Sequence, residues 1–90
     1  MSEVAEMYLN VGAETLIKGE EIVGIFDLDS STVGADTKRL LKEKEKQHMV
    51  FRVGYELPKS FVLTADGRIY LSQFASAVLS DMVKKARWLP

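Results

Sequence analysis

Ninety residues with twelve Lys/Arg, thirteen Asp/Glu, one histidine and no cysteine describe one small domain, of a size that buries roughly 60–65% of its unfolded surface. The missing thiols exclude disulfides, zinc–thiolate centres and cysteine nucleophiles, and no apolar run approaches the ~18 residues a membrane span requires. Residues 1–6 hold Glu3 and Glu6 and no basic side chain, which predicts no secretory leader and a cytoplasmic location.

In chain order, residues 1–6 read as an extension, and Met7 is an alternative start. Met7-Tyr8-Leu9-Asn10-Val11 alternates apolar and polar positions, the period of a strand. Gly12-Ala13-Glu14 connects tightly to a second short strand over 15–18, and Gly19-Glu20-Glu21 reads as one helical turn. Ile22-Val23-Gly24-Ile25-Phe26-Asp27-Leu28 is β-branched and nearly continuously apolar, so it reads as a central strand. Asp29-Ser30-Ser31-Thr32 closes it with residues that turn the chain and cap helices. A first helix over 34–47 carries a narrow apolar stripe, Val33, Thr37, Leu40 and Leu41, and packs by one edge.

Residues 49–53 alternate again as a strand. Pro58 lacks a backbone donor and restricts Leu57, so 54–58 is a loop. Residues 60–65 and 68–72 make a β-hairpin, with Phe61, Leu63, Ile69 and Leu71 on the buried face. Asp66-Gly67 forms its turn, where glycine reaches positive φ without a Cβ clash. A second helix over 74–87 repeats Ala75, Val78, Leu79, Met82, Val83 and Ala86 at helical spacing. Its last turn places Lys84, Lys85 and Arg87 at the negative end of the helix dipole. The expected fold is α+β: a mostly antiparallel five- or six-stranded sheet with two main helices, over residues 7–87, followed by a tail over 88–90.

Chemistry is sparse. His48 stands alone beside Gln47 and Met49, with no nucleophile or orienting carboxylate in view, and reads as a capping or solvated side chain. Lys59-Ser60 resembles the end of a phosphate loop, but Pro58 precedes it where a donating glycine is needed. Asp27 and Asp29 lack the spacing of a calcium loop, and Asp29 suits a strand end. These residues predict no enzyme, cofactor, metal site or small-molecule substrate.

Charge is unevenly spread. Residues 1–37 hold eight carboxylates against Lys18 alone, and residues 38–90 hold eleven Lys/Arg against five carboxylates. Either the halves intermingle and the asymmetry cancels, or the monomer carries opposite faces that associate head to tail. Lys38, Lys42 and Lys46 fall at i, i+4 and i+8, where exposed like charges repel by about 0.2–0.5 kcal/mol per pair, while Arg39 and Glu43 compensate each other. The ridge is either a solvated face or a surface for phosphates or an acidic neighbour. Lys38, Lys42 and Lys46, with the isolated Lys59 and Arg68, are therefore the candidate contacts to phosphates. Glu20, Glu21, Tyr55 and Leu57 are candidates for a homo-oligomer interface.

Three blocks carry a family resemblance: Tyr8-Leu9-Asn10-Val11-Gly12, the strand Ile22-Val23-Gly24-Ile25-Phe26-Asp27, and most specifically residues 58–72. From Met7 to Met82 the chain resembles the RemA/RemB family of extracellular-matrix (biofilm) gene regulators, with the RemB branch the closer match. The resemblance implies a cytoplasmic, cofactor-free, self-assembling regulator. In the RemA branch it also implies DNA binding by arginines near the loop before the hairpin. Here that loop reads Tyr55-Glu56-Leu57-Pro58-Lys59, and the preceding helical turn Gly19-Glu20-Glu21 is acidic. Each missing cation removes a counterion-release contribution to DNA affinity.

Overall fold

The computed structural model describes residues 8–28 and 34–88, the last four as backbone only. Expectations resting on Met7, on residues 1–6, 29–33 and 89–90, and on the side chains of Lys85, Ala86 and Arg87 lie outside the described residues.

β1 (Tyr8–Asn10) and β2 (Leu16–Lys18) pair antiparallel, with Leu9 opposite Ile17. The turn between them holds Ala13 and Glu14 at φ 47° and 60°, and the Thr15 N–H donates to the Gly12 carbonyl at 2.8 Å. Paired positive φ values match the twist of two-residue hairpins. A single 3-10 turn, Gly19–Glu21, follows as expected and leads into β3 (Ile22–Asp27).

The structure holds α+β but corrects the single sheet. β1 and β2 form a ribbon of their own. β3, β4 (Val50–Arg52), β5 (Ser60–Thr64) and β6 (Ile69–Ser72) form a second sheet in the order β3-β5-β6-β4. The β3–β5 and β5–β6 pairs are antiparallel and β4–β6 is parallel. Alternation reveals that a strand exists, whereas its partner is chosen by which apolar faces meet in three dimensions. β3 is likewise not central. It lies at a sheet edge, with Val23 62% and Phe26 43% exposed.

The hairpin forms as expected, with Phe61 opposite Leu71, Leu63 opposite Ile69, and Gly67 at φ 90°. Phe61 and Ile69 are buried, but so is Val62 on the opposite face. Its in-sheet neighbours pair both edges of β5, and packing covers its faces. Val62 joins Leu9, Val11, Ile17, Val53 and Leu79 in the central cluster, with Met82 and Val83 packed against it. The other face carries the Phe26–Phe61 stack, centroids 4.9 Å apart.

α2 (Ser76–Trp88) lies against β3 and β1, so the ribbon and the sheet share one core. Its stripe is narrower than the spacing suggests, since Ala75 and Val78 are exposed. Two buried serines fasten the same junction. Ser72 Oγ donates to the Val11 carbonyl at 2.7 Å and accepts the Phe74 N–H at 3.1 Å. Ser60 Oγ, cross-strand from Ser72, donates to the Phe74 carbonyl at 2.7 Å.

α1 (Ala35–Lys46) packs beside β4, with Thr37, Leu40 and Leu41 half-buried and no residue fully buried. It ends in a Schellman cap: the His48 N–H donates to the Glu45 carbonyl at 3.0 Å, and the Met49 N–H to the Lys44 carbonyl at 2.9 Å. His48 occupies the left-handed position at φ 58°, a place normally taken by glycine. His48→Gly is expected to raise stability by about 1 kcal/mol by relieving that conformation. Urea denaturation checks the sign, and a loss of stability would mean the imidazole contributes more than its backbone costs.

Candidate functional site

Lys38, Lys42 and Lys46 stand exposed on α1, and none has an ion-pair partner among the described residues. Their neighbour Arg39 pairs with Asp36 at 3.4 Å, one turn back, rather than with the expected Glu43. Both side chains are exposed, so that pair adds little stability.

Arg68 is engaged. Its Nε lies 3.1 Å from the Asp66 carboxylate, its Nη1 donates to the Tyr70 hydroxyl at 3.5 Å, and its guanidinium sits 5.7 Å above the Phe51 ring. The Tyr70 hydroxyl first, and the Asp66 carboxylate next, raise the guanidinium pKa above its ordinary value. The Thr64 hydroxyl, followed by the backbone N–H and charge of Arg68, lowers that of Asp66. Since this carboxyl is depressed, its support of the turn is complete above the ordinary carboxyl range and fades as pH falls through the lowered value.

One cation escaped the sequence reading. Lys44, half-buried on α1, brings its ammonium to 2.9 Å from where a Cβ on Gly67 would project. The last turn of α1 therefore meets the hairpin turn at Gly67. Helical spacing gave no sign of this, because Lys44 lies off the lysine ridge and its neighbour is distant in sequence.

Lys59 belongs elsewhere. Its N–H donates to the Ser72 carbonyl at 2.8 Å and its carbonyl accepts the Leu28 N–H at 2.9 Å, which places it at the opposite end of the sheet from the hairpin turn. Five residues of β5, at about 3.3 Å each, separate the two ends by roughly 17 Å. The exposed Arg52 ends β4 at the Lys59 end. The candidate cations thus form two groups, one on α1 and the hairpin turn and one at the far end of the sheet.

The loop before the hairpin is held firmly. Gln73, with its amide oxygen turned toward the loop, accepts the Tyr55 N–H at 2.7 Å and the Glu56 N–H at 2.5 Å. Gly54, at φ 85°, lets Gln73 approach, because a Cβ there would collide with the same side-chain amide. Tyr55 and Leu57 then project from an anchored backbone, 102% and 83% exposed. Glu20 and Glu21 are exposed on the 3-10 turn.

Beside that turn, a half-open cleft of about 530 Å³ runs between β1, β3 and α2, lined by Tyr8, Asn10, Gly19, Ile25, Met82 and Val83 among others. Pattern reading missed it, because its walls come from three separate elements. Among the described residues no group of His, Asp or Glu side chains converges to hold a metal, and no helix is long and apolar enough to cross a membrane.

A comparison with curated proteins finds no match. Against family models, residues 8–83 match the RemA-like family, described as extracellular matrix regulatory protein A-like. That span runs from the first strand through the cleft-lining part of α2 and takes in the serine clamp and the hairpin, so the chain belongs to the RemA-like family.

Proposed function

We propose that the chain is a non-enzymatic, cytoplasmic regulator of extracellular-matrix (biofilm) gene expression, of the RemB branch, acting as a homo-oligomer that binds double-stranded DNA weakly. The family match supports the regulatory role. The observation behind the DNA reading is the lysine ridge on α1, without an ion-pair partner among the described residues, with Lys44 off that ridge at the hairpin turn. Lys59 and Arg52 add a second basic group at the far end of the sheet. Each copy offers few free cations, so useful affinity comes from several copies engaging one duplex. Phosphate contacts carry no base information, and sequence preference then arises from how readily the DNA bends.

Fluorescence anisotropy with duplex DNA across a salt series tests this. Wild-type binding is expected to weaken steeply with salt, with a logarithmic slope of about −0.9 per phosphate neutralised. Joint replacement of Lys38, Lys42 and Lys46 by alanine flattens that slope, and Lys59→Ala flattens it less. Binding that is absent at low salt, or indifferent to these lysines, favours the second reading: an assembly module with no nucleic-acid role. That reading draws on the exposed Tyr55 and Leu57 and the acidic Glu20 and Glu21.

A further inference from the structure

α1 packs by one edge, and its outward face carries a regular row of charge. Thr37, Leu40, Leu41 and Lys44 form its half-buried side, while Lys38, Lys42 and Lys46 are exposed. At 3.6 residues per turn those three lysines drift only about 80° around the helix and point away from the half-buried side. None has an ion-pair partner among the described residues, so their mutual repulsion is unrelieved in the free chain.

The spacing of the row has a counterpart in DNA. Four residues rise about 6 Å along a helix, so neighbouring lysines stand about 6 Å apart along the axis, and Lys38 and Lys46 about 12 Å apart. Successive phosphates of one DNA strand rise about 3.4 Å along the axis and turn through about a tenth of a circle, which sets them about 7 Å apart. The row therefore matches three phosphates in succession. The major groove is also about 12 Å wide, so spacing alone admits a second pose, in which Lys38 and Lys46 reach across it.

The flanks of the row decide between the two poses. Glu45 borders it on one side, and Glu43 with the Asp36–Arg39 pair on the other, all of them exposed. A helix sunk in the major groove turns both flanks toward phosphate rows and sets like charges together. A helix lying along one strand turns only the lysines toward phosphates. Reading bases in the groove also needs donors of fixed geometry. Arg39 has that geometry, but Asp36 holds it at 3.4 Å. Lysine is a flexible point charge, suited to phosphate rather than to a base edge.

We infer that α1 lies along one strand of the duplex, with Lys38, Lys42 and Lys46 each facing one of three successive phosphates. This deepens the DNA reading above and rests on it. The middle lysine separates the poses: along one strand Lys42 meets a phosphate, whereas across the major groove it hangs over the bases.

Fluorescence anisotropy with duplex DNA across a salt series, on the full chain, tests this with wild type and the single variants Lys38→Ala, Lys42→Ala and Lys46→Ala. Alanine is a strong helix former, and circular dichroism checks that α1 persists. Each variant is expected to flatten the logarithmic salt slope by the same step, about 0.9 for each copy bound. A Lys42→Ala slope equal to wild type, with the other two flattened, shows the groove-spanning pose and overturns the inference. Three unchanged slopes, with Lys59→Ala flattened, place the DNA at the other end of the sheet. That result also overturns the inference and leaves the DNA reading standing. A wild type that fails to bind at low salt removes both together.

Discussion

Leu79→Ala is expected to lower the free energy of unfolding by about 3 kcal/mol, within the range of about 2–5 kcal/mol for emptying a buried leucine site. Leu79 is fully buried on α2, in the cluster that also holds Leu9, Val11, Ile17, Val53 and Val62. It is the only fully buried side chain that α2 adds to that cluster among the described residues. Met82 and Val83 are half-buried and line the cleft as well. The β1–β2 ribbon and the four-stranded sheet both contribute to this cluster, which leaves little freedom for collapse around the gap. Urea denaturation at one fixed protein concentration provides the measurement, since self-association would add its own concentration dependence. A loss below 1 kcal/mol would show that α2 is held mainly by its rim.

Ser72→Ala is expected to cost about 2 kcal/mol, and Ser60→Ala about 1 kcal/mol. Both hydroxyls are fully buried, but they serve different numbers of partners. Ser72 satisfies both the Val11 carbonyl and the Phe74 N–H, whereas Ser60 satisfies the Phe74 carbonyl. Removing a buried partner leaves each group without its hydrogen bond, at a cost of about 1–3 kcal/mol, reduced wherever the backbone relaxes toward water. The order of the two losses is the test, and equal losses would mean that Val11 finds another donor. Ser72 joins residues 61 positions apart, so its loss should loosen the ribbon from the sheet. Hydrogen exchange should then show faster amide exchange at Leu9 and Ile17 than at Val62.

These serines also explain what the family resemblance rests on. The block over 58–72 is its most specific part, and in the structure it is scaffold: a hairpin whose hydroxyls tie β1 and the start of α2 to the sheet. A motif built of clamp and turn identifies the fold and leaves the surface free to vary. The exposed α1 lysines, the anchored Tyr55 and Leu57, and the cleft lie mainly outside it.

Local patterns in the sequence determined most of the elements. Alternation marked β1, β4 and the hairpin strands, a nearly continuous apolar run marked β3, Asp66-Gly67 marked the hairpin turn, and glycine with polar residues bounded α1 between Gly34 and Gln47. These signals are short-range, arising from backbone sterics and from the two side-chain periods, and one sequence contains them in full. Some backbone detail was not legible. Ala13, Glu14 and His48 adopt positive φ although none is glycine, because hairpin twist and the α1 cap impose it. The partner of each strand was decided only by tertiary structure. The nearly continuous apolar run of β3 suits a central position, yet β3 lies at an edge, where Ile22 and Ile25 still pack against the core shared with the ribbon and α2. The candidate sites followed the same division. Exposure of the α1 lysines was readable from helical spacing. The approach of Lys44 to Gly67, the hold of Gln73 on the 55–56 backbone and the cleft between three elements were not. Each joins residues far apart in the chain, and such contacts exist only once long-range packing has brought the elements together.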